Sequence, residues 1–172
     1  NGMNYKLNFG VELPRLRDIA TEFPADHDLA QALWKEAIRE CKLLAAMLQP
    51  TGTFYPEIAD IWVESMPNTE IAQHTVQNLF CRLPYASQKA YEWIASEDDM
   101  FQQCGYLILA RLFMQGLRPN ERSADEFLDQ ARTALHASLP VRRAAVSALQ
   151  KYQTLDETAR EAGEKILRET GI

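Results

Sequence analysis

The chain has 172 residues, 47% of them apolar and 24% charged, which is length enough for a continuous core and predicts one domain over residues 1–172. No apolar run approaches the ~20 residues that span a bilayer, and Asn1-Gly2-Met3-Asn4 lacks the basic-then-apolar start of a secretory signal. No membrane partner is expected, the cytoplasm is the expected compartment, and the net charge of −6 disfavours strong non-specific binding to nucleic acid, which runs on phosphate neutralisation.

The apolar periodicity is helical nearly throughout. Leu13, Leu16, Ile19, Ala20 and Phe23 recur at three- and four-residue steps, with Pro14 suited to a helix start and Pro24 to its end. Asp26 is placed to cap a second helix through Leu29, Leu33 and Trp34. A third runs through Ile38, Cys41, Leu44, Ala45 and Leu48, and Pro50-Thr51-Gly52 ends it. The stretch from Thr53 to Met66 predicts a fourth, because its first turn tolerates Pro56. Asn68 is a good N-cap for a fifth, from Glu70 to Leu83.

After Pro84 the pattern resumes, from Tyr85 to Ser96 and from Met100 to Gln115, with Gly116 as a C-terminal cap. Ser123 to Glu126 and Thr154 to Glu157 both have capping-box form and predict helices reaching about Ala137 and Arg168. Between them Pro140 opens another, through Val141, Ala144, Ala145, Ala148 and Leu149. No segment alternates with period two, so no sheet is expected.

Three segments resemble one another: residues 38–46, 101–109 and 141–149 each read as an apolar residue, two polar ones, then a helix rich in small residues. Two-helix repeats spaced by about 30–45 residues mark HEAT-type arrays. One such repeat cannot bury its own apolar face, so neighbours stack and alternate helices line a concave surface. The expected fold is therefore all-α, a HEAT-like α-solenoid.

Cys41, Cys81 and Cys104 are scattered and odd in number, without CxxC or HxxxH spacing, and read as small core hydrophobes; no metal and no cofactor is expected. Trp34, Trp62 and Trp93 lie at helix-spaced apolar positions and read as packing residues, as do Met47, Met66, Met100 and Met114. Glu97-Asp98-Asp99 fits a helix start or loop. Arg15, Arg17, Lys35, Arg39 and Lys42 interleave with Asp18, Glu36 and Glu40, as on an exposed, salt-bridged face. His27 falls near a helix start and His136 near a helix end.

From about Leu7 to Leu149 the chain resembles the DNA alkylation repair family, the HEAT-like alkylpurine DNA glycosylases. The resemblance is carried by Asn8-Phe9-Gly10-Val11 followed by Leu13-Pro14-Arg15-Leu16-Arg17, then Asp26-His27-Asp28-Leu29-Ala30, Leu33-Trp34 and Ile38-Arg39-Glu40. Leu43-Leu44-Ala45-Ala46-Met47, Asn78-Leu79-Phe80, Lys89-Ala90-Tyr91-Glu92-Trp93 and Cys104-Gly105-Tyr106 follow in the same order. Family members usually carry further helices ahead of the Asn8 segment, so leading helices are expected to be missing from this sequence.

In glycosylases of this family an Asp and two Trp form a pocket, and an Arg grips the DNA backbone. An alkylated purine is cationic, so aromatic faces attract it, and a carboxylate stabilises the positive charge that develops on the sugar. Aligned residue by residue, the first Trp falls at Thr69, the Asp at Gln73, the Arg at Gln103 and the second Trp at Ser147. The resemblance thus implies the fold and not the chemistry. A full charge at about 4 Å is worth roughly 4 kcal/mol at an effective dielectric near 20, on the order of a thousandfold in rate.

Glu70 and His74 share a helix face with Gln73 and are the weak catalytic candidates; the plainer reading is a polar rim, with Glu70 complementing the helix N-terminus. Arg142, Arg143 and Lys151 are the candidates for nucleic-acid contact, against the alternative of a solvated helix surface. Three functions follow: a non-enzymatic scaffold binding DNA or a protein through its concave face; a glycosylase whose carboxylate has moved to Glu70, Asp60 or Glu64; and a protein-interaction module without a DNA role.

Overall fold

The computed structural model describes residues 5–172; the Asn1-Gly2-Met3-Asn4 stretch read above for a signal pattern lies outside them. Ten α-helices account for the described chain, with no strand among these residues and one isolated parallel bridge between Leu7 and Ile38. No helix among them is long and apolar enough to cross a membrane. The chain divides after Leu83 into two compact units.

The first unit holds α1 (Leu13–Thr21), α2 (His27–Trp34), α3 (Arg39–Leu48), α4 (Pro56–Glu64) and α5 (Thr69–Asn78). The local chemistry sets these bounds. Pro14 sits in the first turn of α1 and Pro56 in that of α4, where no backbone N–H donor is needed. Asp26 accepts from the Leu29 N–H and Asn68 from the Ile71 N–H, each satisfying one orphan donor of its helix. The expected helix from Glu70 to Leu83 stops at Asn78 and is followed by a 3-10 turn over Phe80–Arg82. Leu79 and Phe80 are fully buried, so the chain turns where packing demands it rather than continuing the helical ladder.

Helix α3 is central here, packing on α1, α2 and α5. Trp34 and Trp62 stack with ring centroids 4.1 Å apart, and Phe54 meets Trp62 edge-on. Burial of these rings supplies a large share of the unit's apolar stabilisation. Of the basic scatter around α3, Arg15, Arg17 and Lys35 are exposed as their interleaved charges suggested, but Arg39 is half-buried and Lys42 leaves the surface. Lys42 is buried, donates to the Trp34 carbonyl at 2.6 Å and lies 4.6 Å from the Trp34 ring centroid, so it closes the end of α2. Burial holds its ammonium below the ordinary lysine value.

The second unit holds α6 (Ala86–Ile94), α7 (Asp99–Met114), α8 (Glu121–Ala134), α9 (Leu139–Tyr152) and α10 (Glu157–Glu169). Helix α7 packs on α6 and α9, while α8 and α10 lie against α9 and each other. Gly105 makes the α6–α7 approach possible: a Cβ there would stand 2.9 Å from both the Ala90 carbonyl oxygen and the Ile94 nitrogen. Trp93 packs edge-on against Phe101, and Phe113, Phe127 and Tyr152 form a cluster with centroids 5.1–5.4 Å apart.

Both capping boxes are displaced. Asn120, not Ser123, caps α8 by accepting from the Ser123 N–H, and Asp156, not Thr154, caps α10 by accepting from the Ala159 N–H. Asp98 caps α7 through two N–H groups, those of Met100 and Phe101. Gly116 ends α7 with φ +81°, as its position predicted. Two packing expectations also change: Met114 is 55% exposed, and of the three cysteines only Cys104 is fully buried, Cys41 and Cys81 being partly accessible.

Candidate nucleic-acid interface

Helix α5 carries Thr69, Glu70, Gln73 and His74 in the first unit; α7 carries Gln103, and α9 carries Ser147, Arg142, Arg143 and Lys151, in the second. Each group is set by its own helix.

On α5, Thr69 is half-buried in the first turn and Gln73 is exposed. Glu70 is committed to structure. Its Oε1 accepts from Arg39 Nε at 2.7 Å and from the Tyr5 hydroxyl at 2.9 Å. Arg39 also donates through Nη1 to the Val11 carbonyl at 2.9 Å and lies 3.5 Å from Glu40 Oε1. Glu40 in turn accepts from the Val11 N–H. Burial favours the neutral Glu40 acid, but N–H donors from Glu40 itself, Phe9 and Val11, with the Arg39 charge, outweigh it and hold the carboxyl below its ordinary value. Burial, reinforced by Glu70 and opposed by Asn68, pushes the Tyr5 hydroxyl up to about 12.

This cluster fastens the segment ahead of α1 to α3 and α5, and sequence reasoning did not find it. Tyr5, Arg39 and Glu70 are separated by tens of residues, and no local pattern announces such a contact. Its chemical consequence is that the Glu70 oxygen nearest these groups is already saturated by donors. His74 is half-buried, and its Nδ1 has no hydrogen-bond partner. Burial first, then the charges of Arg17 and Arg39, against Glu70, lower its basicity, so the imidazole is neutral at pH 7. A neutral ring does not replace an anion. Of the other carboxylates weighed for catalysis, Asp60 is half-buried on α4 and Glu64 is exposed.

Helix α9 presents two faces. Val141, Ala144, Ala145, Ala148, Leu149 and Tyr152 turn into the core. The other face carries Arg142, Arg143, Val146, Ser147 and Gln150, which with Leu139 and Ile172 line an open cleft of about 380 Å³. The spacing i, i+3, i+4, i+7, i+8 is that of one helical stripe. Arg142 and Arg143 are exposed and form no ion pair with any described residue, in contrast to Arg118, Arg132 and Arg160. Ser147 is therefore brought together with both arginines. Lys151 is half-buried and outside the cleft lining, and Gln103 is buried in α7 at 5% exposure.

The sequence model of a family described as DNA alkylation repair enzyme matches residues 4–162. The chain belongs to the DNA alkylation repair family. A solved structure described as "a new family of proteins related to the HEAT-like repeat DNA glycosylases with affinity for branched DNA structures" is similar in fold. It superposes with a TM-score of 0.86 at 18% sequence identity, covering 98% of this chain and 73% of that one. No curated protein matches the chain. The all-α, HEAT-like repeat fold expected of the alkylation repair family is thus the fold this member has, and the segments around residues 38, 101 and 141 begin α3, α7 and α9. Among the described residues no group of three or more His, Cys, Asp or Glu side chains is placed to hold a metal ion.

Proposed function

We propose that this member of the DNA alkylation repair family binds DNA without excising bases, and that the Arg142–Arg143–Ser147 face of α9 contacts the phosphate backbone. The observation that carries the reading is the pair of exposed, unpaired guanidinium groups beside Ser147, at the edge of an open cleft. Arginine forks recognise phosphate oxygens bidentately, and backbone contact needs no pocket. The affinity of the related structure's protein for branched DNA is consistent with such a partner.

The excision chemistry lacks support on α5. Gln73 stands at the position aligned with the family's Asp, Thr69 at that of a Trp, and Glu70 is held by Arg39 and Tyr5. A glycosylase with a relocated carboxylate is the alternative, and a protein-binding module, favoured by the net charge of −6, is the third.

Base release from methylated duplex DNA, run beside a binding titration at two salt concentrations, tests the reading. The expected result is no release, with binding that weakens as salt rises. Replacing both arginines by serine lowers the slope of log affinity against log salt by about two for a duplex. Release of methylpurine that is lost on Glu70→Gln establishes the enzyme instead. Silence in both assays leaves the protein-binding module.

A further inference from the structure

The cleft on α9 is not a purely cationic surface. Its hollow of about 380 Å³ lies where two short side chains, Val146 and Ser147, stand between longer ones, with Arg142 and Arg143 one turn earlier and Gln150 one turn later. Leu139, a turn before the arginines, and Ile172, from beyond α10, continue the lining in apolar surface, 55% and 46% exposed. Two cations thus border an apolar seat, and no acidic side chain lines it.

An intact duplex does not match both halves of that lining. Its outer surface is phosphate and sugar, with the bases stacked inside and only their edges reachable through the grooves. The arginines suit those phosphates. Leu139, Val146 and Ile172 do not, since a phosphate set against them loses water and gains no partner. An unstacked base fits what the phosphate cannot. It offers a flat face to aliphatic side chains and guanidinium planes, and polar edges that can bond an amide such as that of Gln150.

The register brings the two halves within one nucleotide of each other. Val146 shares a helix face with Arg142 and Arg143 at steps of four and three, so a strand whose phosphate rests on the guanidinium groups carries the adjoining base to the seat. The volume is at the small end of ligand pockets, about 300–1,000 Å³, and takes one base with its sugar rather than a stacked run.

Resting on the reading that the α9 face contacts DNA, we infer that its preferred ligand is a strand with an unpaired base, seated on Leu139, Val146 and Ile172 while Arg142 and Arg143 hold the adjoining phosphate. Every base has a face that stacks, so the seat tolerates base identity and discriminates unpaired from paired. Intact duplex binds through phosphate contact alone.

Three DNAs of one sequence test this on the full chain: an intact duplex, the same duplex with a single unpaired thymine, and that duplex with the unpaired thymine replaced by an abasic tetrahydrofuran. The last keeps the charge and the flexibility of the bulge and removes only the base. Fluorescence anisotropy is expected to show the thymine bulge bound at least about five-fold more tightly than the abasic one. The Leu139, Val146 and Ile172 methyl signals shift with the thymine bulge and not with the abasic one. Leu139→Asn combined with Ile172→Asn, both at exposed positions, brings the two affinities together, and Arg142→Ser combined with Arg143→Ser weakens all three complexes. Equal affinities for the two bulges, or a preference that survives the asparagine variant, overturns the seat and leaves the phosphate contact standing. Binding to none of the three, or binding indifferent to the loss of both arginines, overturns the α9 reading and the seat with it.

Discussion

The Arg39–Glu70 pair gives the sharpest test of the proposal that Glu70 serves structure rather than chemistry. Arg39 Nε and Glu70 Oε1 are 2.7 Å apart, with side chains only 12% and 27% exposed. At an effective dielectric near 20 their gross attraction is about 6 kcal/mol. Partial desolvation of both ions offsets much of it. A double-mutant cycle with Arg39→Met and Glu70→Gln is therefore expected to return a coupling of about 2 kcal/mol, persisting at about 0.5 M salt because the pair is shielded from solvent. Arg39→Met alone is expected to cost more, about 3–4 kcal/mol, since it strands the buried Glu40 carboxylate and the Val11 carbonyl together with Glu70. For a chain of this size that lowers the thermal midpoint by about 6–16 °C. Calorimetry with parallel urea titrations reads both quantities. A coupling under about 0.5 kcal/mol would show an ordinary surface pair, and the argument that Glu70 is consumed by structure would fail.

Glu40, whose carboxyl is held below its ordinary value, contributes stability that is fully present above about pH 4.5 and is lost as pH falls through the lowered folded-state value. Urea midpoints measured from pH 7 down to pH 3 should therefore drop in the native chain and flatten in Glu40→Gln; an equally steep drop in the variant would assign the effect elsewhere. Asn120→Ala should destabilise the second unit by about 1 kcal/mol, the cost of a lost N-cap, while Ser123→Ala stays within about 0.5 kcal/mol. Equal effects of the two would return the cap to Ser123.

Much of the fold was legible because its punctuation is local. Pro14, Pro56, Asp26, Asn68 and Gly116 each act on the turn they occupy, so their chemistry reads directly from the sequence. The cap of α8 was misread for a reason just as local. Ser123-x-x-Glu126 has capping-box form, yet Asn120 stands three residues earlier with helix-compatible Glu121 and Arg122 after it, and the first adequate acceptor starts the helix. The tryptophans followed their periodicity into the core. Met114 did not, because it falls on the solvent side of the last turn of α7, whose Leu112 and Phe113 take the core side.

The site was less legible. Glu70 was read as a polar group at a helix start, and that is correct as far as position goes, but its partners lie 31 and 65 residues away in the chain. The charges near α3 show the same limit: alternating signs suggested solvent, whereas Glu40 and Lys42 are buried with backbone partners. A charge pattern does not report which backbone groups wait nearby. Arg142 and Arg143 were grouped with Lys151 in the sequence, whereas the residue that lines the cleft with them is Ser147.

The guanidinium of Arg39 touches three segments at once, and this bears on what evolution can do with the chain. Freeing Glu70 for catalysis by a single substitution would also unfasten the stretch ahead of α1 and strand a second acid. Any substitution that released Glu70 from Arg39 would meet a loss of foldedness before a gain of rate. A new anion placed at Gln73, on the open side of α5, is the shorter road.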